Sequence, residues 1–153
     1  MNRYVSSAAL TMLAVSFTIF AQDRKIQPSA LPATVQRTVQ DRSQGATIKG
    51  YSTEVEHGKK VYEVEMIVNS HTKDLQIAAD GTLNEVEEEV AFDSLPGAVQ
   101  ATLTKKAAGA KITKVESLTK HGKLVAYEAS TLKGMKKGEI QVGPDGAKLS
   151  HEE

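Results

Sequence analysis

Histidines that precede a glycine are the residues in this sequence with the clearest potential for metal chemistry. His57 and His121 are each followed by Gly-Lys and stand 64 residues apart. Two imidazoles brought together by internal symmetry could hold a metal ion, but no His-x-x-His or His-x₃-His spacing supports a site. A histidine beside glycine also suits an exposed turn, and His71 and His151 are expected to be solvated. We therefore predict no metal site at the histidines.

Two Asp-Gly pairs raise the question of calcium binding. Asp80-Gly81 and Asp145-Gly146 begin short polar segments. A calcium loop needs several oxygen ligands at short intervals and a closing glutamate, and these segments supply too few. Asp-Gly between alternating segments is instead a strong hairpin signal, because glycine adopts positive φ without strain. We predict turns here, and no metal or other cofactor.

The composition argues against several classes of function. The chain has no Cys, which excludes thiolate zinc sites and thiol nucleophiles. No serine stands in a Gly-x-Ser-x-Gly nucleophile motif. Trp is absent and the formal net charge is zero, so neither base stacking nor phosphate binding is favoured. We predict a protein that is not an enzyme and has no nucleic-acid partner.

Polar side chains on predicted strands remain as candidates for binding. In residues 61–68, Tyr62 and Val64 alternate with Glu63 and Glu65, which indicates a strand with one buried and one exposed face. Similar alternation surrounds residues 76, 128 and 141. The predicted partner-binding residues on the exposed face are Glu63, Glu65, Gln76, Glu128 and Gln141.

Charge is distributed unevenly along the chain. Residues 22–94 carry 8 basic and 13 acidic side chains, net −5, whereas residues 95–153 carry 10 and 6, net +4. The acidic stretch 85–89 suits a solvated edge strand that is protected from pairing by its charge. Lys133, Lys136 and Lys137 crowd one loop of the basic half. Such a dipolar surface can orient a charged partner.

The N-terminal segment has the layout of a secretory signal peptide. Arg3 is the only charged residue among the first 21, an apolar run extends from Ala8 to Phe20, and Ala21 offers a small residue for cleavage. The run is shorter than the roughly 20 residues needed to span a bilayer. We predict cleavage after residue 21, a periplasmic or extracellular protein, and no stable membrane anchor after cleavage.

The remaining chain repeats itself at an offset of 64 to 65 residues. LPATVQ at 31–36 matches LPGAVQ at 95–100, and the matches continue through the His-Gly-Lys, Tyr-Glu and Asp-Gly segments. This order of matches indicates an internal repeat. The predicted organisation is a signal peptide at 1–21, a flexible lead-in at 22–30, and repeats at 31–94 and 95–153.

Each repeat predicts a helix followed by antiparallel strands. Leu31, Val35 and Val39 form one helical stripe, and 95, 99 and 103 form its counterpart, with Asp93 or Ser94 as the second helix's cap. The predicted fold is α+β, with two helix-plus-antiparallel-sheet repeats whose sheets have one face covered by helices and one face exposed. A unit of this size is marginal alone, so the two are expected to share a core or to join edges.

The repeated motifs resemble a known group of secreted bacterial domains. Leu-Pro-x-x-Val-Gln at the start of the helix, Gly-Ala-x-Ile at its end, the Gly-Lys-x-Val strand and the terminal Asp-Gly hairpin are similar to tandem PepSY-like modules, grouped with β-lactamase-inhibitor-like folds. The resemblance covers about residues 30–153. It implies a periplasmic or extracellular module, and some such modules are suspected of restraining peptidases or binding other proteins.

The sequence therefore predicts a monomeric, non-catalytic binding module. Its expected partner is another exported protein, such as a peptidase or other hydrolase whose cleft it covers. Two alternatives stay open: a periplasmic sensor of a small ligand or cation, and an envelope structural or stress protein.

Overall fold

The computed structural model describes residues 24–56 and 58–151, so the predicted signal peptide and His57 lie outside the described residues. Within these described residues, eight strands form one antiparallel sheet whose spatial order follows the chain, and two α helices accompany it. The elements are β1 (Arg24–Lys25), α1 (Ala33–Arg42), β2 (Thr47–Glu56), β3 (Lys59–Val68), β4 (His71–Ala78), β5 (Leu83–Glu89), α2 (Gly97–Ala107), β6 (Lys111–Lys120), β7 (Lys123–Lys133) and β8 (Lys136–Val142).

The prediction of two helix-plus-antiparallel-sheet repeats is wrong, because the described residues form mostly one eight-stranded sheet with two short helices. Strand β5 pairs with β4 on one side and with β6 on the other, so the ladder of hydrogen bonds runs unbroken through the middle of the chain. The sequence predicts the acidic stretch 85–89 at an edge, yet it lies in this central strand. The reason is that β5 and β6 would otherwise each leave a row of backbone N–H and C=O groups unpaired.

Both helices pack on the same face of the sheet. Leu75 pairs with Val86, and Val86 pairs with Thr119, so these three residues lie on one face of the sheet. Val115 is four residues from Thr119 on β6 and therefore lies on the same face. Leu75 packs with α1, and Val115 packs with α2. The residues of the predicted helical stripes are confirmed as buried: Val35 and Val39 on α1, and Val99 and Leu103 on α2. Leu31 and Leu95 are also buried, but each lies two residues before the first residue of its helix.

The helix starts differ from the prediction in one respect. Neither Asp93 nor Ser94 caps α2: both belong to a short 3₁₀ turn, and Pro96 occupies the cap position without a side-chain hydrogen bond. A glutamine one turn into the helix instead donates back to the chain. The Gln100 amide donates to the carbonyl of Leu95 at 2.9 Å. In the same way, the Gln36 amide of α1 donates to the carbonyl of Leu31, just before that helix.

The segment before α1 takes part in the sheet and in the first core cluster. The predicted lead-in at 22–30 contributes strand β1, which pairs with β2, and Ile26 packs against the first core cluster. Within the described part of the chain, no helix is long and apolar enough to cross a membrane.

Candidate functional site

The sheet face opposite the helices carries most of the ionisable side chains of the central strands. We call it the acidic face and define it by three cross-strand rows. The first row is Glu63, Gln76, Glu85 and Lys120; the second is Glu65, Asp74 and Glu87, continued by Leu118; the third is Glu89, Glu116, Glu128 and Gln141. Like charges directly opposite one another repel, so this face favours added positive charge.

All five sequence-predicted binding residues lie on the acidic face, but they do not form one cluster. Glu63 accepts a hydrogen bond from the Ser52 hydroxyl at 2.8 Å, towards the β2 side. The Gln76 amide donates to Glu54 at 3.1 Å. Far across the sheet, the Gln141 amide donates to Glu128 at 2.7 Å.

Glu65 completes the set and is solvent-exposed beside Asp74. Binding residues at both ends of the face suit a broad contact rather than a small cleft. The face does contain a shallow cavity of 210 Å³ near its centre, lined partly by Glu63, Asp74 and Glu87.

Three carboxylates converge at the middle of the acidic face. One oxygen each of Asp74, Glu87 and Glu116 lies within 4.8 Å of the others, although the residues come from three different strands. Glu116 is the most buried of the three, at 5% exposure. Its Oε1 accepts hydrogen bonds from Lys114 Nζ at 2.7 Å and from the Thr72 hydroxyl at 3.3 Å. The group has the donor set for a hard cation, and one lysine already supplies part of the positive charge.

Burial, together with crowding of carboxylates, raises the pKa of two acids at the centre of the acidic face. Burial, and then repulsion by Glu63 and Glu116, raises the pKa of Asp74 to about 6. Burial, and then repulsion by Glu85 and Glu116, raises the pKa of Glu87 to about 8. Near neutral pH the carboxyl group of Glu87 is therefore mostly uncharged, which relieves its repulsion with the ionised Asp74 in the second row.

The pKa values of Lys114 and Glu128, beside the three central carboxylates, are also raised. Burial lowers the pKa of Lys114, but its hydrogen bond to Glu116 and the surrounding carboxylates outweigh this, so the net shift is upward. Burial also raises the pKa of Glu128, and the hydrogen bond from Gln141 opposes that rise. Lys114 therefore stays positively charged among the carboxylates.

These shifts predict a protein that is more stable in mild acid than in mild base. The folded-state pKa values of Asp74 and Glu87 lie above their ordinary values, so the folded protein holds protons that the unfolded chain releases. The free energy of unfolding therefore falls as pH rises from about 4 through about 8. We expect a melting temperature at least about 4 °C lower near pH 8.5 than near pH 5.5, which corresponds to roughly 1 kcal/mol in a domain of this size.

A neighbouring glutamate provides the matched control for this measurement. Glu87→Gln removes the group with the largest upward shift, so most of the pH difference should disappear. Glu88 lies next to it on the helix face and pairs with Lys73 at 3.1 Å, so Glu88→Gln should keep the difference. The explanation fails if Glu87→Gln melts with the same pH dependence as the parent.

Among the described residues first considered for metal chemistry, Asp80, Asp145 and His121 lie in turns. Asp80 and Asp145 each accept a hydrogen bond at 2.9 Å from the backbone N–H two residues further on, and hydrogen bonding from Thr82 lowers the pKa of Asp80. His121 is exposed at the β6–β7 turn with φ of 48°. His71 Nδ1 lies 3.8 Å from Glu89 at the edge of the acidic face. The histidine pair that was considered and not predicted as a metal site cannot be examined, because His57 lies outside the described residues.

Sequence reasoning missed the central carboxyl group, Asp74, Glu87 and Glu116. One signal was present, since Glu85, Glu87 and Glu89 alternate as a strand with acids on one face requires. The position of β5 between β4 and β6 is what places that alternation against Asp74 and Glu116.

Comparison with known proteins identifies the fold. No family model matches the chain, and no curated protein matches its sequence. A periplasmic protein from Bacteroides eggerthii is similar in structure, with a TM-score of 0.62, 16% identity, and coverage of 76% of this chain and 84% of that one. A DUF2874 family protein from Bacteroides ovatus gives a TM-score of 0.60 at 17% identity, covering 78% and 85%.

A BLIP-like protein from Bacteroides fragilis also superposes, with a TM-score of 0.57, 18% identity, and coverage of 78% of this chain and 83% of that one. The periplasmic description of such structures agrees with the export predicted from residues 1–21. The chain therefore has the fold that is shared by BLIP-like and DUF2874 periplasmic proteins.

Proposed function

We propose that this protein is a non-catalytic periplasmic binding module that uses its acidic face to bind another exported protein. The observation that carries the proposal is the concentration of carboxylates on the sheet face that neither helix covers. Such a face has many weak cation-attracting positions, and it offers hydrogen-bond acceptors across most of its width.

The charge of the face indicates the chemistry of its partner. Within the described part of the chain, Lys114 supplies an ammonium group to the cluster of Asp74, Glu87 and Glu116 through its contact with Glu116. A partner that presents lysine or arginine side chains would supply the missing positive charge and allow the carboxyl groups to ionise. Arginine fits best, because its planar guanidinium can bind two carboxylate oxygens at once.

The finer proposal is that binding restrains the partner's activity. The fold is shared with a BLIP-like protein, and the tandem PepSY-like resemblance, which remains a prediction, points to the same kind of role. A continuous sheet is stiff, so its open face can cover the cleft of a peptidase or other hydrolase by occlusion. No chemical step by this chain is required.

One observation favours the cation-sensor alternative. The oxygens of Asp74, Glu87 and Glu116 lie close enough to be drawn together around a divalent ion, as a sensor would require. Dialysed protein whose melting temperature rises with calcium or magnesium, and does so less in Glu87→Gln, would support this alternative. An envelope structural or stress protein is the third alternative. It would show neither specific binding of a partner nor a rise in melting temperature with calcium or magnesium.

Charge reversal on the acidic face should strongly weaken capture of the partner. In a pull-down from the producer's periplasm, the parent protein should retain a specific protein, which can then be purified for titration. Glu63→Lys with Glu65→Lys should weaken its binding at least about tenfold, because two attractions become repulsions. Binding by the parent should also weaken above about 0.15 M salt, where screening acts within about 8 Å.

A second double variant separates local from global charge effects. Asp41→Lys with Asp93→Lys makes the same change in net charge at two exposed positions, one on α1 and one in the turn before α2. It should bind like the parent. The single variant Glu65→Lys changes only an exposed position, so it tests the same face if the double variant with Glu63→Lys fails to fold. Equal binding by the folded acidic-face variants would refute the proposed binding face.

A further inference from the structure

One end of the sheet is basic, in contrast to the acidic face. Its exposed lysines lie in the last turn of α2, at the start of β6 and on both sides of the β7–β8 turn. They are Lys105, Lys106, Lys111, Lys133, Lys136 and Lys137. We call this surface the basic end.

Strand pairing and one hydrogen bond bring the lysines of β6 and of the β7–β8 turn together, whereas Lys106 Nζ donates to the carbonyl of Gln141 on β8 at 2.8 Å. Lys111 pairs with Leu132, which pairs in turn with Lys137, and Lys133 pairs with Lys136. Lys133 Nζ donates to the carbonyl of Ala108 at 3.1 Å, so the β7–β8 turn lies against the C-terminal end of α2.

Acids are sparse in the segments that build the basic end, although β8 carries the exposed Glu139 two residues after Lys137. Residues 97–115 and 129–138 contain no Asp or Glu. The corresponding end of the first half differs, because its β3–β4 turn consists of Asn69 and Ser70. The lysines are thus a feature of one end only, and helix capping by Lys105 and Lys106 does not explain those of the β7–β8 turn.

An exposed apolar side chain projects from the middle of this charge. Met135 is 99% exposed at the tip of the β7–β8 hairpin, where Gly134 has φ of 62° in the two-residue turn. Leu132, on the strand below it, is 36% exposed. A flexible apolar tip among lysines matches a surface that has negative charge outside and hydrocarbon beneath.

We propose that the basic end docks this protein on an anionic phospholipid membrane, with Met135 entering the headgroup region. The choice of lysine supports a lipid surface over a protein. All ten basic residues from 95 onwards are lysine and none is arginine. Lysine acts as a point charge on a flexible stem and suits a diffuse anionic surface, whereas fixed carboxylates favour the bidentate guanidinium.

This docking has a consequence for the rest of the molecule. The β7–β8 turn is at the end of its strands, so the sheet would meet the membrane end-on. The acidic face would then stand away from the lipid and stay open to a protein partner. The inference does not depend on the proposed function, because lipid binding can be measured without any protein partner.

Co-sedimentation with vesicles tests the proposal on the chain that starts at residue 22. Vesicles with about 30 mol% phosphatidylglycerol should retain the protein, and pure phosphatidylcholine vesicles should not. Raising salt from about 0.05 M to about 0.5 M should release it. Lys133→Gln with Lys136→Gln and Lys137→Gln should weaken binding about 100-fold, since each lysine contributes roughly fivefold at an anionic surface.

Two further variants identify the docking surface. Met135→Ser should weaken binding by roughly three- to tenfold without changing net charge, because it removes the apolar tip. Lys59→Gln with Lys60→Gln and Lys123→Gln removes three exposed lysines from the opposite end of the strands. This variant has the same net charge as the first triple variant and should bind vesicles like the parent. Failure to sediment with anionic vesicles, equal loss in both triple variants, or salt-sensitive self-association without vesicles would each overturn the proposal.

Discussion

Replacement of Val99 by aspartate is expected to leave the protein without a cooperative thermal unfolding transition. Val99 is 0% exposed on α2 and packs with Val115 and Val142 of the sheet. A carboxylate there would lose its hydration and gain no cationic partner. Its cost of several kcal/mol is comparable with the 5–15 kcal/mol that stabilises a typical domain.

The same substitution on α1 should have the same effect, because Val35 is also 0% exposed. Val55→Asp serves as the control, since Val55 is 60% exposed on β2, and it should melt within a few degrees of the parent. Circular dichroism during heating distinguishes the three variants. If Val99→Asp melted cooperatively at the parent's temperature, the packing of α2 on the sheet would be wrong.

Gly146→Ala is expected to be the most damaging replacement of a turn glycine. Gly146 has φ of 81°, and a Cβ there would stand 2.6 Å from the carbonyl oxygen of Ala98 in α2. Because that oxygen belongs to the backbone, either the turn or the helix must move. The left-handed conformation and the overlap together should cost about 2–4 kcal/mol of unfolding free energy.

Gly122→Ala separates the two causes of this loss. Gly122 has almost the same φ, 78°, but nothing lies within 4 Å of the position that a Cβ would occupy there. It should therefore lose only about 1 kcal/mol, the cost of the backbone conformation alone. Urea titrations that give equal losses for the two variants would show that the turn is not packed against α2.

Local periodicity was enough to predict the helices and their buried stripes. Leu31, Val35 and Val39 are spaced by four residues, and the structure buries all three against the sheet. This works because the 3.6-residue period of a helix is a property of the segment alone. The helix caps were harder to predict, since Ser94 is a good capping residue by type but Pro96 occupies the position.

Alternation also determined on which side of a strand each residue lies. Glu63 and Glu65 face away from the helices, as their two-residue period requires. The charge difference between the two halves and the cluster of lysines near residue 135 could likewise be read from the sequence. Whether any of these surfaces binds a partner is left to the experiments above.

Tertiary structure alone decided which strands pair, and so how many sheets there are. A period of two is the same in an edge strand and in a central one, so the acidic residues 85–89 could not reveal that β5 lies between β4 and β6. That pairing brings Asp74, Glu87 and Glu116 together from positions up to 42 residues apart in the chain. Their raised pKa values follow from burial and mutual repulsion, which depend on distance in space rather than on sequence separation.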